Sequence, residues 1–257
     1  MALTRIVQVT DCHLQESPSQ LHRGMSTEDR FDAVLSHLTG CERNIDLLWL
    51  TGDLAHHGYE SSYRRLAAKV SGIAKNTIWL PGNHDDWLRM QSYPELCQPV
   101  WAPDLTPWAF ISLNSIYEAD GRGSGALGKE QRQWLMDQLA ALQQDNRWVL
   151  IALHHPALDV GSQWQDQIKL SDADALLDII KASSCVKGVL SGHLHQQHDL
   201  FVGRVPFWVT PATAPQYKAR TREPTDELDK RLSLPGYRVF TLSDNGELTT
   251  DVVRVDV

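Results

Sequence analysis

The sequence lacks several features that mark specialised classes of protein. No stretch approaches the roughly 18 apolar residues that a membrane-spanning helix needs. The N-terminal residues show no charged segment followed by a long apolar one. We therefore expect neither a membrane span nor a secretory signal. The four cysteines are widely spaced and form no C-x-x-C pair, which predicts reduced thiols in a cytoplasmic protein rather than a disulfide framework or a zinc ribbon.

Basic charge is also scarce. Lys and Arg number 24 against 32 Asp and Glu, which gives a formal net charge of −8, and no run of Lys or Arg occurs. Domains that bind the nucleic-acid backbone usually carry a basic excess or a basic stripe. The charge balance therefore argues against nonspecific nucleic-acid binding. The excess of Asp and Glu also means that bound cations could neutralise some of the carboxylates.

No repeat, low-complexity segment or obvious linker interrupts the 257 residues, so we expect a single domain over 1–257. Strand and helix patterns alternate up to residue 190, which predicts the α/β class. Strands are predicted at 5–10, 47–51, 77–80, 109–114, 148–153 and 186–190, and helices at 26–39, 60–73, 129–144 and 173–182. Ser26 is expected to cap the first helix, and Gly40 to lie just past its end. Strand patterns at 205–209, 237–242 and 248–255 predict that 205–257 is an antiparallel β section integral to the domain.

Five predicted strands are followed directly by His, Asp or Asn. These strand-end segments are Asp11-Cys12-His13, Gly52-Asp53, Gly82-Asn83-His84, His154-His155-Pro156 and Gly192-His193-Leu194-His195. Six of the eleven histidines fall in them. Ligands of open α/β sheets bind beyond the carboxyl ends of the strands. The clustering therefore predicts a functional site at the strand ends.

The side chains in these segments form a mixed nitrogen and oxygen donor set. Such sets suit first-row metals such as Mn, Fe, Zn or Co. Apart from His84 there are seven candidate ligands, which exceeds the need of one ion and favours two ions that share a carboxylate. Paired metal ions are used for in-line displacement at phosphorus, and a histidine outside the ligand set could protonate the leaving alkoxide.

The same segments, in this order and each at a strand end, resemble the five sequence blocks of the calcineurin-like metallophosphoesterase superfamily. The matching blocks are Asp11-x-His13, Gly52-Asp53, Gly82-Asn83-His84-Asp85, His154-x-Pro156 and Gly192-His193-x-His195. The resemblance spans residues 11–195. It implies a four-layer αββα sandwich, in which two mixed β-sheets are flanked by helices and the site lies at their shared edge.

The resemblance also implies which residues bind two divalent metal ions. The ligands of the first ion would be Asp11, His13 and His195. Those of the second would be Asn83, His154 and His193. Asp53 would bridge both ions, as would the hydroxide that attacks phosphorus in line. Fe²⁺ and Mn²⁺ are the favoured ions, with Zn²⁺ and Co²⁺ as alternatives.

The catalytic residues implied by the resemblance are His84 and Asp53. His84 is not a metal ligand in this pattern; it would contact the substrate phosphate and donate a proton to the leaving oxygen. The residues expected to contact substrate are His13, Asp53, Asn83, His84 and His195.

Other stretches narrow the substrate. The second block lacks the arginine of the G-D-x-x-D-R-G pattern of related protein phosphatases, which argues against a phosphoprotein. The stretches "GSQWQD" (161–166), "TPATAPQYK" (210–218) and "PGYRVFTL" (235–242) resemble bacterial class III 3′,5′-cyclic-AMP phosphodiesterases. The implied reaction opens cyclic AMP to 5′-AMP, with O3′ as leaving group. Two departures are Ala212-Thr213-Ala214-Pro215, where a Ser-Thr-Cys-type run is common, and Cys12, where Thr or Ser is expected.

Alternative functions stay open at this point. One is a phosphodiesterase of broader specificity, acting on 2′,3′-cyclic nucleotides or glycerophosphodiesters. The others are a nucleotide sensor without turnover and a protein whose metals are structural. His84 disfavours both of these, because structural metal sites usually close their shell and leave no spare imidazole. The expected partner is a cyclic nucleotide, not nucleic acid or a membrane, and the state is monomer or homodimer. The sequence assigns no role to 100–108 or 213–234.

Four further polar residues in or near the blocks receive structural interpretations. His155 is expected to pack or to hydrogen-bond rather than to bind metal. His56 and His57 are interpreted as a solvated loop pair. Asp85 is expected to orient a neighbouring residue or to cap the next helix.

Overall fold

The computed structural model describes residues 3–104, 106–117 and 121–257. Residue 105, which belongs to the unassigned segment 100–108, lies outside the described residues. The helices are α1 Thr27–Cys41, α2 Glu60–Val70, α3 Trp87–Met90, α4 Gly128–Gln144 and α5 Ala173–Ala182. Within the described ranges, none of these helices combines the length and the apolar character needed to cross a bilayer.

The strands form two large sheets and one short hairpin. The strands are β1 Leu3–Val9, β2 Leu21–His22, β3 Met25–Ser26, β4 Leu47–Thr51, β5 Asn76–Leu80, β6 Val100–Trp101, β7 Trp108–Leu113, β8 Trp148–Leu153, β9 Val186–Ser191, β10 His198–Val202, β11 Val205–Val209, β12 Gly236–Ser243 and β13 Leu248–Arg254. The first sheet has the order β13-β12-β1-β4-β5, and the second has the order β10-β11-β9-β8-β7-β6.

Both sheets are mixed. In the first sheet β1, β4 and β5 run parallel, while β12 is antiparallel to β1. In the second sheet β7, β8, β9 and β11 run parallel, with antiparallel β6 and β10 at the two edges. The carboxyl ends of the parallel strands therefore lie at one edge of each sheet.

The two sheets pack face to face, with helices outside. In β4, Leu47 and Trp49 belong to the apolar layer between the sheets, while Leu48 and Leu50 belong to the layer beneath α1 and α2. This double burial explains why β4 reads as an uninterrupted apolar run. Helices α4 and α5 cover the outer face of the second sheet. The predicted four-layer αββα sandwich is confirmed.

Helix α1 begins as predicted and ends later. Ser26 caps it, since the Ser26 hydroxyl accepts a hydrogen bond from the Asp29 N–H at 3.1 Å. The prediction that Gly40 lies past the helix end was wrong. The helix continues to Cys41, and the Glu42 N–H closes the last turn on the Leu38 carbonyl.

The segment 205–257 is divided between the two sheets. β11 is antiparallel to β10 but parallel to β9, and it lies in the second sheet. Strands β12 and β13 lie in the first sheet, where β12 is antiparallel to both β13 and β1. Strand β10 was not predicted, because its apolar residues form a run of only three, Leu200-Phe201-Val202, and do not alternate with polar ones. Once β10 is missed, the chain reversal that inserts β11 beside β9 cannot be predicted.

Candidate metal centre

The structure brings the predicted site residues together where strands of both sheets end. All of them follow β1, β4, β5, β8 or β9. Asp11 and His13 follow β1, Asp53 follows β4, Asn83 and His84 follow β5, His154 follows β8, and His193 and His195 follow β9. Asn83 and His84 are half-buried, and the other six are buried.

Most of these residues have a positive φ angle, which residues other than glycine rarely adopt. The φ angles are positive at Asp11 (53°), His13 (46°), Asp53 (51°), His193 (70°) and His195 (52°). Such conformations persist only where the surroundings hold them, and they cluster at functional sites. Here the neighbouring strand end holds them, since the Asp11 N–H donates to the Gly52 carbonyl (3.0 Å) and the His13 N–H donates to the Asp53 carbonyl (2.8 Å).

The glycines at the strand ends leave room for the functional side chains. A Cβ atom on Gly52 would lie 2.4 Å from Nδ1 of His154, and one on Gly82 would lie 2.2 Å from Oδ1 of Asp53. Real Cβ atoms do not approach other atoms so closely. The glycines are therefore required by space within the site, and Gly52 also by its positive φ of 94°.

Three groups of potential metal ligands are preformed: one is His13, His56 and His84, and the other two contain only residues that the resemblance implies as ligands. Of these two, the first ligand group is Asp11, His13 and His195, and the second ligand group is Asp53, His154 and His193. In the first group, Nε2 of His13 lies 3.0 Å from Nε2 of His195, which lies 3.4 Å from Oδ1 of Asp11. In the second, Nε2 of His154 lies 3.2 Å from Nδ1 of His193 and 3.3 Å from Oδ2 of Asp53. Two imidazole lone pairs face each other at such a distance only with a proton or a cation between them.

Asp53 and Asn83 complete the donor set. Oδ2 of Asp53 lies 3.3 Å from His154 and 3.5 Å from Nε2 of His13, so one carboxylate reaches both ligand groups. Oδ1 of Asn83 is buried and has no hydrogen-bond partner among the residues that the structure describes. A buried, unpaired amide oxygen is costly, and a cation would satisfy it. The residues present therefore fit two metal ions.

Hydrogen bonds to backbone carbonyls orient three of the imidazoles. Nδ1 of His154 lies 2.9 Å from the Thr51 carbonyl, and Nδ1 of His195 lies 2.6 Å from the Pro215 carbonyl. Nε2 of His193 lies 3.1 Å from the Ile168 carbonyl. Each bond fixes a proton on one nitrogen and leaves the lone pair of the other directed at its ligand group. Metal-binding histidines commonly have such partners.

The electrostatics of the site also suit cations. Burial alone would raise the pKa of Asp53, but the adjacent His154 and His13 hold it well below its usual range. Burial and the neighbouring His154 lower the pKa of His193 to about 3. Burial by itself lowers the pKa of His154, but the Asp53 and Asp11 carboxylates outweigh it and raise that pKa to about 9. An ion that binds His154 would therefore displace a proton.

His84 lies beside these groups and is oriented by His56. Nδ1 of His84 lies 3.0 Å from the His56 carbonyl, which leaves Nε2 for a substrate. The two rings stack with centroids 4.8 Å apart. The backbone N–H of His84 donates to Oδ1 of Asp53 at 2.9 Å, which ties the two residues together.

His56 is the residue that sequence reasoning missed. Its Nδ1 lies 3.0 Å from Nδ1 of His13, and it lines the cavity, while His57 is exposed. The interpretation of both as a solvated pair is wrong for His56. The second block places it only three residues after Asp53, and that proximity was the available signal.

Asp85 and His155 make hydrogen bonds that support the structure around the site. The Asp85 carboxylate accepts hydrogen bonds from the N–H groups of Gly82 and Ala55, both at 2.9 Å, and from the Tyr63 hydroxyl at 3.0 Å. Burial and the charge of Asp53 raise the pKa of Asp85 to about 6. Asp85 thus orients the loop that carries Asn83, while its neighbour Asp86 caps α3. Nδ1 of His155 is 2.8 Å from the Ser115 hydroxyl, as expected of a packing residue.

A cavity of about 180 Å³ opens above the two ligand groups. Six of the predicted site residues line it, namely His13, Asp53, Asn83, His84, His193 and His195. We call the other lining residues the rim; they are His22, His56, Arg122, Gly123, Trp164, Ile168 and Tyr217. Arg23 is not among the residues that line this cavity, and its guanidinium lies 2.6 Å from Asp226.

Comparisons with known proteins identify a family, similar sequences and a similar fold. The sequence pattern of the calcineurin-like phosphoesterase family matches residues 4–197. The chain is 34% identical over 254 residues to the 3′,5′-cyclic adenosine monophosphate phosphodiesterase CpdA of Vibrio vulnificus, covering 98% of this chain and 90% of that protein. It is 31% identical over 263 residues to CpdA of Escherichia coli, covering 99% and 90%. A solved dimetal phosphatase from Danio rerio matches with a TM-score of 0.63 at 12% identity, covering 98% of this chain and 99% of that one, a likeness of fold.

Proposed function

This chain belongs to the calcineurin-like phosphoesterase family, and from that premise we propose that it hydrolyses 3′,5′-cyclic AMP to 5′-AMP. The observation that carries the proposal is the pair of ligand groups joined by one carboxylate, with His84 beside them as an imidazole that neither group uses. The substrate is supported by the relatives that bear the name of cyclic AMP phosphodiesterase and match almost the whole chain.

Two divalent ions are proposed as cofactors. The first would be held by Asp11, His13 and His195. The second would be held by Asn83, His154 and His193. Asp53 would be shared, as its distances to both ligand groups suggest. When bound, such ions activate water as a nucleophile at neutral pH and neutralise phosphate charge. The nitrogen and oxygen donors suit first-row metal ions, and the family resemblance favours Fe²⁺ or Mn²⁺, with Zn²⁺ and Co²⁺ as alternatives.

The protein's own residues position the diester and supply the proton. His84 is proposed to contact the phosphate through Nε2, because its Nδ1 is engaged by the His56 carbonyl. As the bond between phosphorus and O3′ breaks, His84 would transfer a proton from Nε2 to O3′, so that the leaving group departs as an alcohol. The Asp53 carboxylate stays ionised and is held in place by the backbone N–H of His84.

A cytoplasmic location belongs to the same proposal. All four cysteines lie within the described residues, and all four are free thiols. Free thiols are typical of a reducing compartment.

The proposal is tested with chelator-stripped protein and cyclic AMP, with and without Mn²⁺ or Fe²⁺, by assaying 5′-AMP. We expect metal-dependent formation of 5′-AMP, reduced by at least about 100-fold in Asp53→Asn, which keeps the shape of the side chain and removes its charge. Asp178→Asn is the matched control, since this side chain is 78% exposed on α5.

Other outcomes would separate the alternatives. Cleavage of bis-p-nitrophenyl phosphate without turnover of cyclic AMP would retain the metal mechanism and reject the substrate. Inactivity on both substrates, with metal incorporation confirmed, would reject the enzyme in favour of a sensor or a structural metal protein.

A further inference from the structure

Two aromatic residues form one side of the cavity rim. Trp164 and Tyr217 are both half-buried and both line the cavity, and their rings meet edge to face with centroids 5.2 Å apart. The Tyr217 ring also lies 5.1 Å from the ring of His195, so this surface adjoins the first ligand group directly. We call Trp164 and Tyr217 together the aromatic wall.

Contacts with residues that do not line the cavity hold the aromatic wall in place. Nε1 of Trp164 donates a hydrogen bond to the Thr221 hydroxyl at 3.2 Å. The Arg23 guanidinium lies 5.2 Å from the Tyr217 ring centroid and is itself paired with Asp226 at 2.6 Å. These contacts order the aromatic wall before a ligand binds. Stacking of a ligand on it would therefore cost little side-chain conformational entropy.

The segments that carry the wall are also tied to each other. The Gln163 N–H donates to the Thr221 carbonyl at 3.0 Å, and the Arg220 N–H donates to the Ser162 hydroxyl at 2.8 Å. Residues 161–166 and 217–221 therefore form one unit at the rim, although they are distant in sequence.

The size of the cavity indicates which part of a cyclic nucleotide would reach this wall. Sites that enclose a whole small molecule measure roughly 300–1,000 Å³, whereas this cavity measures about 180 Å³. With the phosphate over the ligand groups, the cyclic phosphate and sugar would fill the cavity and the base would extend to the rim.

His22 and His56, which also line the cavity, are less suited to a base because each is engaged with another imidazole. His22 stacks on His13 with centroids 5.4 Å apart, and Nδ1 of His56 lies 3.0 Å from Nδ1 of His13. The aromatic wall instead offers an indole, the largest aromatic face among the residues that line the cavity.

We propose that the aromatic wall of Trp164 and Tyr217 is the subsite for the purine base of the substrate. This inference rests on the proposed cyclic nucleotide phosphodiesterase function and makes Trp164 a determinant of its specificity. Stacking of a base on an aromatic side chain changes affinity by roughly 5- to 150-fold, which makes the contribution measurable.

The test compares the wild-type protein with Trp164→Ala, Trp164→Phe and Thr221→Val, all loaded with Mn²⁺. The KM and kcat for cyclic AMP are measured. The inhibition constants of 5′-AMP and of ribose 5-phosphate, which lacks the base, are measured against bis-p-nitrophenyl phosphate. Trp134→Ala on α4 is the control, since Trp134 lies outside this cavity.

For Trp164→Ala we expect the KM for cyclic AMP and the inhibition constant of 5′-AMP to rise about tenfold. The kcat and the inhibition constant of ribose 5-phosphate should change by less than about twofold, and Trp164→Phe should restore most of the affinity because it keeps an aromatic face. Thr221→Val should have a smaller effect than Trp164→Ala, because it removes only the bond that orients the indole.

Two results would overturn the assignment. One is an unchanged inhibition constant for 5′-AMP in Trp164→Ala. The other is an equal rise for ribose 5-phosphate, which would mean that the loop and not the base contact was lost. A wild-type protein that cleaves bis-p-nitrophenyl phosphate but not cyclic AMP would instead reject the proposed function, and 5′-AMP inhibition would still decide whether the wall binds a base.

Discussion

His84 has one ring nitrogen engaged and one available. Because Nδ1 is held by the His56 carbonyl, a proton on Nε2 could be given to a leaving oxygen. Such a proton matters for an alkoxide such as O3′ and hardly at all for p-nitrophenolate, which is stable as an anion. The two leaving groups therefore distinguish a proton donor from a residue that only binds phosphate.

For His84→Ala we expect the kcat for cyclic AMP to fall by about 10²- to 10⁴-fold, the usual contribution of a general acid. The kcat for bis-p-nitrophenyl phosphate should fall by less than about tenfold. His37→Ala on α1, outside the site, is the control. Equal losses on both substrates would contradict the role in proton transfer.

His56 connects the candidate metal site to His84, the proposed proton donor. Its ring is bonded to His13 and its carbonyl to His84. Loss of a residue that orients a metal ligand typically lowers metal affinity by 10- to 100-fold. We expect His56→Ala to weaken Mn²⁺ binding by that factor, measured by equilibrium dialysis.

The control for His56 is the exposed neighbour His57. His57→Ala should keep the wild-type affinity for Mn²⁺, and His56→Asn should recover part of the lost affinity because an amide can replace the hydrogen bond. Wild-type metal affinity in His56→Ala would show that His13 needs no such partner.

The turns that follow the strands decide how closely the ligands can approach. Gly82 lies two residues after the end of β5, and a Cβ there would collide with the Asp53 carboxylate at 2.2 Å. By contrast, Gly40 lies inside α1 with nothing within 4 Å of an added Cβ and without a positive φ. Alanine should therefore disturb the site at position 82 and stabilise the helix at position 40.

We expect Gly82→Ala to lower phosphodiesterase activity by about 100-fold, since a displacement of 1 Å at a reacting centre can cost that much. Gly40→Ala should keep full activity and raise the free energy of unfolding by about 0.5–1 kcal/mol, because alanine loses less backbone freedom in a helix. Activity assays and urea unfolding check both. A fully active Gly82→Ala protein would mean that the loop relaxes away from Asp53.

The layer between the sheets joins the whole molecule. Its residues come from both ends of the chain, from Ile6 in β1 to Leu242 in β12, and Trp49 of the first sheet donates to the Ser112 hydroxyl of the second at 2.9 Å. Since each sheet covers the apolar face of the other, we propose that residues 1–257 unfold as one domain.

Two leucine variants test this layer. Leu150→Ala, in the centre of it, should lower the free energy of unfolding by about 2–5 kcal/mol. Leu88→Ala, at a side chain that is 79% exposed, should change it by less than about 0.5 kcal/mol. Circular dichroism and tryptophan fluorescence should report coincident transitions in both variants. Two separate transitions would indicate two domains.

The sequence alone determined the family and the fold, and it predicted a site at the strand ends. Long apolar runs such as Leu47–Thr51 and the polar residues that follow them are local signals, and the family comparison confirms the family that they indicate. The roles assigned to the individual ligands remain predictions, although the structure brings those residues within reach of one another.

Tertiary structure alone decided what surrounds the site. His56 bonds to His13, which is 43 residues away, and the ring of Trp164 meets that of Tyr217 across 53 positions of the chain. Neither contact has a periodic signal in the sequence. A pattern of apolar residues predicts which face of a strand or helix is buried, because that face repeats with the period of the element. Contacts between loops depend on where two strands end in space, and the packing of the two sheets sets that position.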